Sequence, residues 1–173
     1  MILTDGTISL RALEPEDVDI LFGWENDTDV WDDGATIAPF SRALLADYVA
    51  NYEPDIFKAR QLRFMIVKAE GEESIGTIDL YDFDPRNRRC GVGILIAAPY
   101  RRCGYAAAGL RLLINYCSRH LGIHQLYCVA GVDNVASRQT FLSTGFKIAG
   151  KLRSWIRSGQ SYRDAFIMQL LLQ

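Results

Sequence analysis

The stretch APYRRCGYAAAGLRLL, residues 98–113, decides how this chain is read. It follows an apolar segment, Arg89–Ala97, patterned as a strand, and beyond Gly104 it takes up a helical period. Leu110, Leu113, Ile114, Cys117 and Leu121 fall on one face of that helix. Glycine at 104 lets the backbone come close to a ligand, and small residues follow at Ala106, Ala107 and Ala108. A helix N-terminus offers unpaired N–H groups and the positive end of its dipole, to which Arg101 and Arg102 add charge. These are the physical requirements for holding a pyrophosphate; a solvated arginine pair at a tight turn is the plainer alternative. The stretch is not a phosphate-binding loop of the G-x-x-x-x-G-K-[ST] kind. Nor is Gly91-Val92-Gly93 a dinucleotide fingerprint, because it lies inside a strand pattern and lacks the third glycine.

Working outward, Ile8–Leu13 alternates apolar and polar residues and predicts a strand. Glu14–Asp27 opens with Pro15 and acidic residues, which suits a helix start, and Val18, Leu21, Phe22 and Glu25 follow at helical spacing. A loop or broken helix around Trp31, Asp32 and Asp33 precedes a second helix, Ser41–Tyr52, capped by Ser41. Gln61–Ala69, Glu73–Asp84 and Arg89–Ala97 are strand-like and joined by short turns, the pattern of an antiparallel meander. His124–Gly131 predicts a strand. A short helix follows, capped by Asp133 or Asn134 and closed by Gly145, and the last segments form a hairpin. Strand, helix and strand around Gly104 imply a right-handed parallel crossover. The fold class is α+β: one mixed sheet with helices on its faces, in a single domain spanning residues 1–173.

Composition bounds the function. Hydrophobic residues make up 49% and charged residues 23% of 173, the profile of a globular domain. No apolar run reaches the roughly 18 residues of a membrane-spanning helix. The start lacks a basic stretch followed by an apolar one, so no signal peptide and a cytoplasmic location are expected. Cys90, Cys103, Cys117 and Cys128 form no C-x-x-C pair and His120 and His124 are the only histidines, so free thiols and no metal are expected. The net charge of -2 hides an asymmetry. Residues 1–87 carry 7 basic and 19 acidic side chains, residues 88–173 carry 12 and 2. A basic half suits an anionic ligand and an acidic half a cationic one, or the two halves attract each other within one fold. A nucleic-acid-binding domain would need clustered Lys and Arg interleaved with exposed aromatics. Arginines beside a glycine at a helix start suit a small phosphate ligand better.

Arg101-x-x-Gly104-x-Ala106 resembles the R/Q-x-x-G-x-G/A signature of the GNAT N-acetyltransferase superfamily. Asn134-x-Ala136-Ser137, Phe141 and Gly145-Phe146 resemble its downstream N-x-x-[AS]…G-F segment. The element order is similar over nearly the whole chain. Ile8–Asp19 and the stretch from Gly145 to Met168 resemble the subgroup of ribosomal-protein alanine and spermidine N-acetyltransferases. The resemblance implies a mostly antiparallel twisted sheet of about seven strands, split between the fourth and fifth and flanked by about four helices. It implies acetyl-CoA as donor. The backbone N–H groups of Arg102, Cys103, Gly104, Tyr105 and Ala106, beside Arg101, would hold the pyrophosphate. Ile94, Leu95 and Ile96 would pair with the pantetheine like an added strand. Asn134 would bond the pantetheine arm or simply cap its helix. Phe141 would pack beside the cofactor or belong to the core.

Two departures bear on catalysis. Many relatives carry at the position of Phe141 a tyrosine that protonates the leaving thiolate, and phenylalanine has no hydroxyl. Some ribosomal-protein acetyltransferases use a serine at the position of Ser137, which makes Ser137 the candidate acid here, or else a plain helix serine. Relatives often carry glutamate near Gly91, so the base is open, with Glu25, Asp79 and Asp82 as candidates. Trp24, Trp31, Tyr81, Trp155 and Tyr162 either shape an acceptor pocket or fill the core; Glu25, Trp31, Tyr81 and Tyr162 are the candidate acceptor residues. The expected activity is acetyl transfer to a primary amine (a protein N-terminus, a polyamine or a small-molecule amine) by direct attack in a ternary complex. The alternative is a non-catalytic acyl-CoA sensor. A homodimer through the C-terminal edge strand is compatible with both.

Overall fold

Short polar turns fold the apolar middle of the chain back on itself. Gly71 (φ +80°), Glu72 (φ +52°) and Arg88 (φ +50°) take the left-handed backbone that such reversals need. The computed structural model describes residues 3–31 and 36–172; Asp32 and Asp33, assigned above to a loop or broken helix, lie outside them. The strands are β1 (Ile8–Arg11), β2 (Leu62–Lys68), β3 (Ser74–Asp84), β4 (Arg89–Ile96), β5 (Gln125–Gly131), β6 (Lys147–Ser158) and β7 (Ser161–Leu171). The helices are α1 (Val18–Glu25), α2 (Arg42–Ala50), α3 (Ile56–Ala59), α4 (Tyr105–Tyr116) and α5 (Val135–Ser143). The expectation of about four helices is short by α3, a single turn capped by Asp55. Four residues are too few to show a helical period.

Among the described residues the strand order is β1-β2-β3-β4-β5-β7-β6. β4 and β5 are parallel, as the crossover through α4 requires, and the other neighbours are antiparallel. Alternation along β2 sorts the two faces. Ile66 faces α4, its Cδ1 lying 3.3 Å from where a Cβ on Gly109 would stand. That face holds the larger core, with Ile78, Leu80, Val92, Leu110, Leu113, Cys117 and Leu126. Met65 and Val67 point the other way, against Leu21 of α1 and Leu45 and Val49 of α2. Residue pairs Arg63–Asp79–Gly93, Met65–Thr77–Leu95 and Tyr81–Gly91 therefore share the α1/α2 face.

Two polar anchors set the helices over that face. Ser41 accepts a hydrogen bond from the Leu44 N–H and caps α2 as expected. Ahead of α1, Asp17 is buried, takes two hydrogen bonds from Arg11 (2.6 and 2.8 Å) and accepts the Glu14 N–H at 2.8 Å. Burial alone would push the Asp17 carboxyl up. The bonds from Arg11 and Glu14 outweigh it and hold the group below its ordinary value. Ion pairs form mostly within each half, as at Arg11–Asp17 and Arg163–Asp133, and so leave the charge asymmetry in place; Arg89–Asp84 crosses the boundary.

Candidate active site

β4 and β5 pair at Arg89–Gln125, Cys90–Leu126 and Gly91–Tyr127, and no further. From Val92 onward β4 keeps its partner on the β3 side, at Ile94–Ile78, Leu95–Thr77 and Ile96–Gly76, but has none toward β5. The sheet thus contains an internal edge, whose open N–H and C=O groups are ready to pair with an extended ligand.

The chain leaving that edge turns into α4. Arg101 is extended and its Nε donates to the Ile96 carbonyl at 2.9 Å, anchoring the loop to the end of β4. Arg102 (φ +64°) and Gly104 (φ +81°) are both left-handed. For Arg102 that backbone costs about 1–2 kcal/mol, a strain that concentrates at ligand-binding turns. A Cβ on Gly104 would meet nothing within 4 Å, so the glycine is required by its φ and the space before it is open. No side chain caps α4, which leaves the N–H groups of its first turn, at Tyr105 and Ala106, directed at that space. Arg101, Arg102 and Cys103 are exposed around it.

Across the opening, β5 leads into α5. The Asn134 Oδ1 accepts the Ser137 N–H at 3.0 Å, so Asn134 does cap this helix. Ser137 is half-buried in the first turn of α5, and its hydroxyl makes no hydrogen bond among the described residues. Phe141, one turn on, is buried edge-to-face against Phe146 at 5.0 Å.

On the α1/α2 face, beside the point where β4 and β5 part, Arg63 sits between two carboxylates. Its Nη1 donates to Glu25 Oε1 at 2.5 Å and its Nε to Asp79 Oδ1 at 2.5 Å, with a longer Nη2 contact of 3.3 Å to Asp79 Oδ2. The Tyr52 hydroxyl takes the Arg63 N–H at 2.5 Å, and the Tyr48 ring lies 5.9 Å from the guanidinium. Burial pushes the Asp79 carboxyl up, the Arg63 charge and hydrogen bond oppose it, and the Glu25 charge adds to it, leaving the group above its ordinary value. Arg63 stays protonated: the two carboxylates outweigh its desolvation. The Tyr48 hydroxyl, chiefly through burial, is raised to about 12. Sequence reasoning missed Arg63. The available signal was a lone arginine inside the apolar strand LRFMIVK.

Next to this cluster the Tyr81 ring lies over Gly91 and meets Tyr127 edge-to-face at 6.0 Å. Burial raises the Tyr81 hydroxyl far above the neutral range, so it is a protonated phenol. Trp31 Nε1 donates to the Glu25 carbonyl at 2.9 Å. Trp24 and Asp27 line a cleft of about 190 Å³ with Leu95, Ala97, Pro99 and Arg101. Asp82 is exposed at an irregularity in β3 (φ +49°) and does not join the cluster. Tyr162 and Trp155 are exposed on the β6–β7 hairpin, which runs on past Gly131, the last residue of β5.

A family model described as the acetyltransferase (GNAT) domain matches residues 7–147. The chain belongs to the GNAT acetyltransferase family. It is 26% identical over 165 residues to an uncharacterized N-acetyltransferase of Bacillus licheniformis, covering 95% of this chain and 92% of that one. It is also 26% identical over 92 residues to an L-amino acid N-acetyltransferase of Escherichia coli, covering 53% and 57%. The spermidine N-acetyltransferase of Vibrio cholerae, solved in complex with CoA and spermine, shares its fold, with a TM-score of 0.86 at 22% identity over 96% of each chain.

This GNAT enzyme is an acetyl-CoA-dependent N-acetyltransferase. Its own geometry fits the donor. The left-handed loop at Arg102 and Gly104, the uncapped first turn of α4 and the unpaired edge of β4 provide an anion cradle continuous with a strand-like slot. The family's departures also acquire a physical setting. Phe141 faces Phe146 in the core, and the space a side chain at Gly91 would need is filled by Tyr81.

Proposed function

We propose that the acceptor is a cationic primary amine that reaches the opening between β4 and β5 from the α1/α2 face and attacks directly in a ternary complex. The observation that carries this reading is the parting of the two strands after Gly91, next to Glu25, Arg63, Asp79 and Tyr81. One arginine between two carboxylates leaves one negative charge uncompensated, which attracts an ammonium group. Acetyl-CoA, when bound, supplies the thioester carbonyl. Backbone N–H groups of Arg102 to Ala106 hold the pyrophosphate, and Arg101 and Arg102 add charge. Ile94, Leu95 and Ile96 align the pantetheine, and a β4 N–H meets the oxygen on which negative charge develops. Asn134 orients the same arm. Ser137 passes a proton to the departing sulfur, while Phe141 packs behind it. Glu25, Trp31 and Tyr81 shape the acceptor side, and Tyr162 guards the approach.

A protein N-terminus, a polyamine and a small-molecule amine all fit this chemistry, and a panel of the three separates them. Acetyl-CoA binding by calorimetry, followed by thiol release with each amine, is the test. Micromolar binding with release for one class supports the reading; binding with no release across the panel turns it toward a sensor; no binding overturns it. Self-association through the edge strand β6 is proposed as well, and sedimentation tests it.

A further inference from the structure

We infer that Asp79 is the proton acceptor for the incoming ammonium group, and that Glu25 is a positioning residue acting on it through Arg63. The inference rests on the reading of this opening as the acceptor side. Asp79 stands opposite Gly93, two residues beyond the last β4–β5 pair, so its side chain faces the start of the slot. Its Oδ2 lies 3.9 Å from where a Cβ on Gly93 would stand; glycine leaves that side of the carboxylate open. Oδ1 is held by Arg63 at 2.5 Å, whereas among the described residues Oδ2 has only the 3.3 Å contact. Oδ2 is therefore the atom free to take a proton, directed at β4.

The charge count supports the same atom. Arg63 needs one negative partner and has two, Glu25 and Asp79. When Asp79 accepts a proton, Glu25 still balances Arg63 and no buried charge is stranded. Groups facing Asp79 are Arg63 from β2, Glu25 from α1 and the hydroxyls of Tyr48 and Tyr52 from α2 and the residues after it. Two carboxylates on one cation repel each other, and the Asp79 carboxyl is held above its ordinary value by desolvation and the Glu25 charge against the pull of Arg63. That direction makes Asp79 a stronger proton acceptor than an ordinary carboxylate.

The step balances. The ammonium gives one proton to Asp79 Oδ2, from which it passes to solvent. The freed amine nitrogen bonds the carbonyl carbon, its second proton is lost as the C–S bond breaks, and the sulfur leaves as a thiol after taking one proton. One proton is released for each amide formed.

The test is the pH dependence of kcat/KM for the amine that the wild type accepts. Asp79→Asn keeps the side-chain volume and leaves Arg63 paired with Glu25, and thermal unfolding checks that it folds. We expect its kcat to fall roughly 10²-fold at neutral pH, with KM for acetyl-CoA unchanged. Its rate should then climb about tenfold per pH unit, following the neutral fraction of the amine, whose ordinary pKa is near 10.4. Glu25→Gln should keep an acidic limb but move it to lower pH, because a negative neighbour is gone. Wild-type rates in Asp79→Asn, an unaltered acidic limb in that variant, or no movement of the limb in Glu25→Gln would each overturn the assignment. A wild type that releases no thiol with any amine would overturn the parent reading, and this one with it.

Discussion

Tyr81 and Gly91 are cross-strand partners that occupy one volume: a Cβ on residue 91 would stand 2.2 Å from Tyr81 Cε2 and 2.3 Å from Cζ. The glycine exists for the ring. Gly91→Ala should push Tyr81 off Tyr127 and cost about 1–3 kcal/mol, the usual penalty of overpacking. The same substitution beside Tyr81→Ala should cost much less. Chemical denaturation of both singles and the double measures the coupling, and additive losses would show that the ring yields freely.

In the loop before α4, proposed to hold the donor, Gly104→Glu places a like charge where the pyrophosphate would lie and forces an L side chain into φ +81°. Because a Cβ there meets nothing within 4 Å, the fold should survive, with a loss of about 1–2 kcal/mol from backbone strain. Acetyl-CoA binding by calorimetry should disappear. Binding at wild-type affinity would remove the loop from the donor site.

Ser137→Ala removes a hydroxyl with no partner among the described residues and leaves the N–H bond to Asn134 in place. Stability should hardly change. If Ser137 protonates the sulfur, kcat should drop by roughly 10²-fold or more while affinity for acetyl-CoA stays put. An unchanged kcat would make it an ordinary helix serine.

Asn134 has a capping role in the structure and a proposed donor role, and two substitutions tell them apart. Asn134→Ala should cost about 1 kcal/mol by loss of the cap. Asn134→Ser restores the cap but is too short to reach a ligand. Weaker acetyl-CoA binding in both variants supports the donor role; weaker binding in the alanine variant alone reduces Asn134 to a cap.

Stability in acid should report Asp17. Its carboxyl is held below its ordinary value of 3.8 in the folded chain. The unfolded chain therefore binds the proton first as pH falls. The stabilisation from Arg11–Asp17 is complete above about pH 4 and is lost on the way down through the lower folded value. Asp17→Asn should lower stability at pH 7 and flatten its fall below pH 4, read from urea midpoints across the pH range.

Periodicity made most of the elements legible in advance. The β2–β3–β4 meander, the α4 helix with Leu110 and Leu113 buried and Cys117 buried just past its end, and the closing β6–β7 hairpin all follow from apolar spacing and turn residues. These are local signals, carried within a dozen residues. α3 escaped because one helical turn has no period to detect.

The loop before α4 was readable for the same reason. Arg101 to Ala106 are contiguous, so their backbone geometry is dictated by their own sequence. The cluster on the α1/α2 face was readable only in part: Glu25 and Asp79 are candidate bases by sequence, but the arginine that joins them is not, because Arg63 meets Asp79 across 16 positions and Glu25 across 38. Nothing in a strand's pattern says which distant helix end will lie over it. Strand register and the seating of α1 put one guanidinium between two carboxylates. They also placed Tyr81 over Gly91 and turned Phe141 into the core. The sequence by itself determined the strands, the helix α4 and the turn before it, through local conformational preference, whereas the break in the sheet was expected only from the resemblance to the GNAT family. Which carboxylate is buried, which oxygen is left open and which hydroxyl stands free were decided only when the tertiary structure set the charges and rings at contact distance.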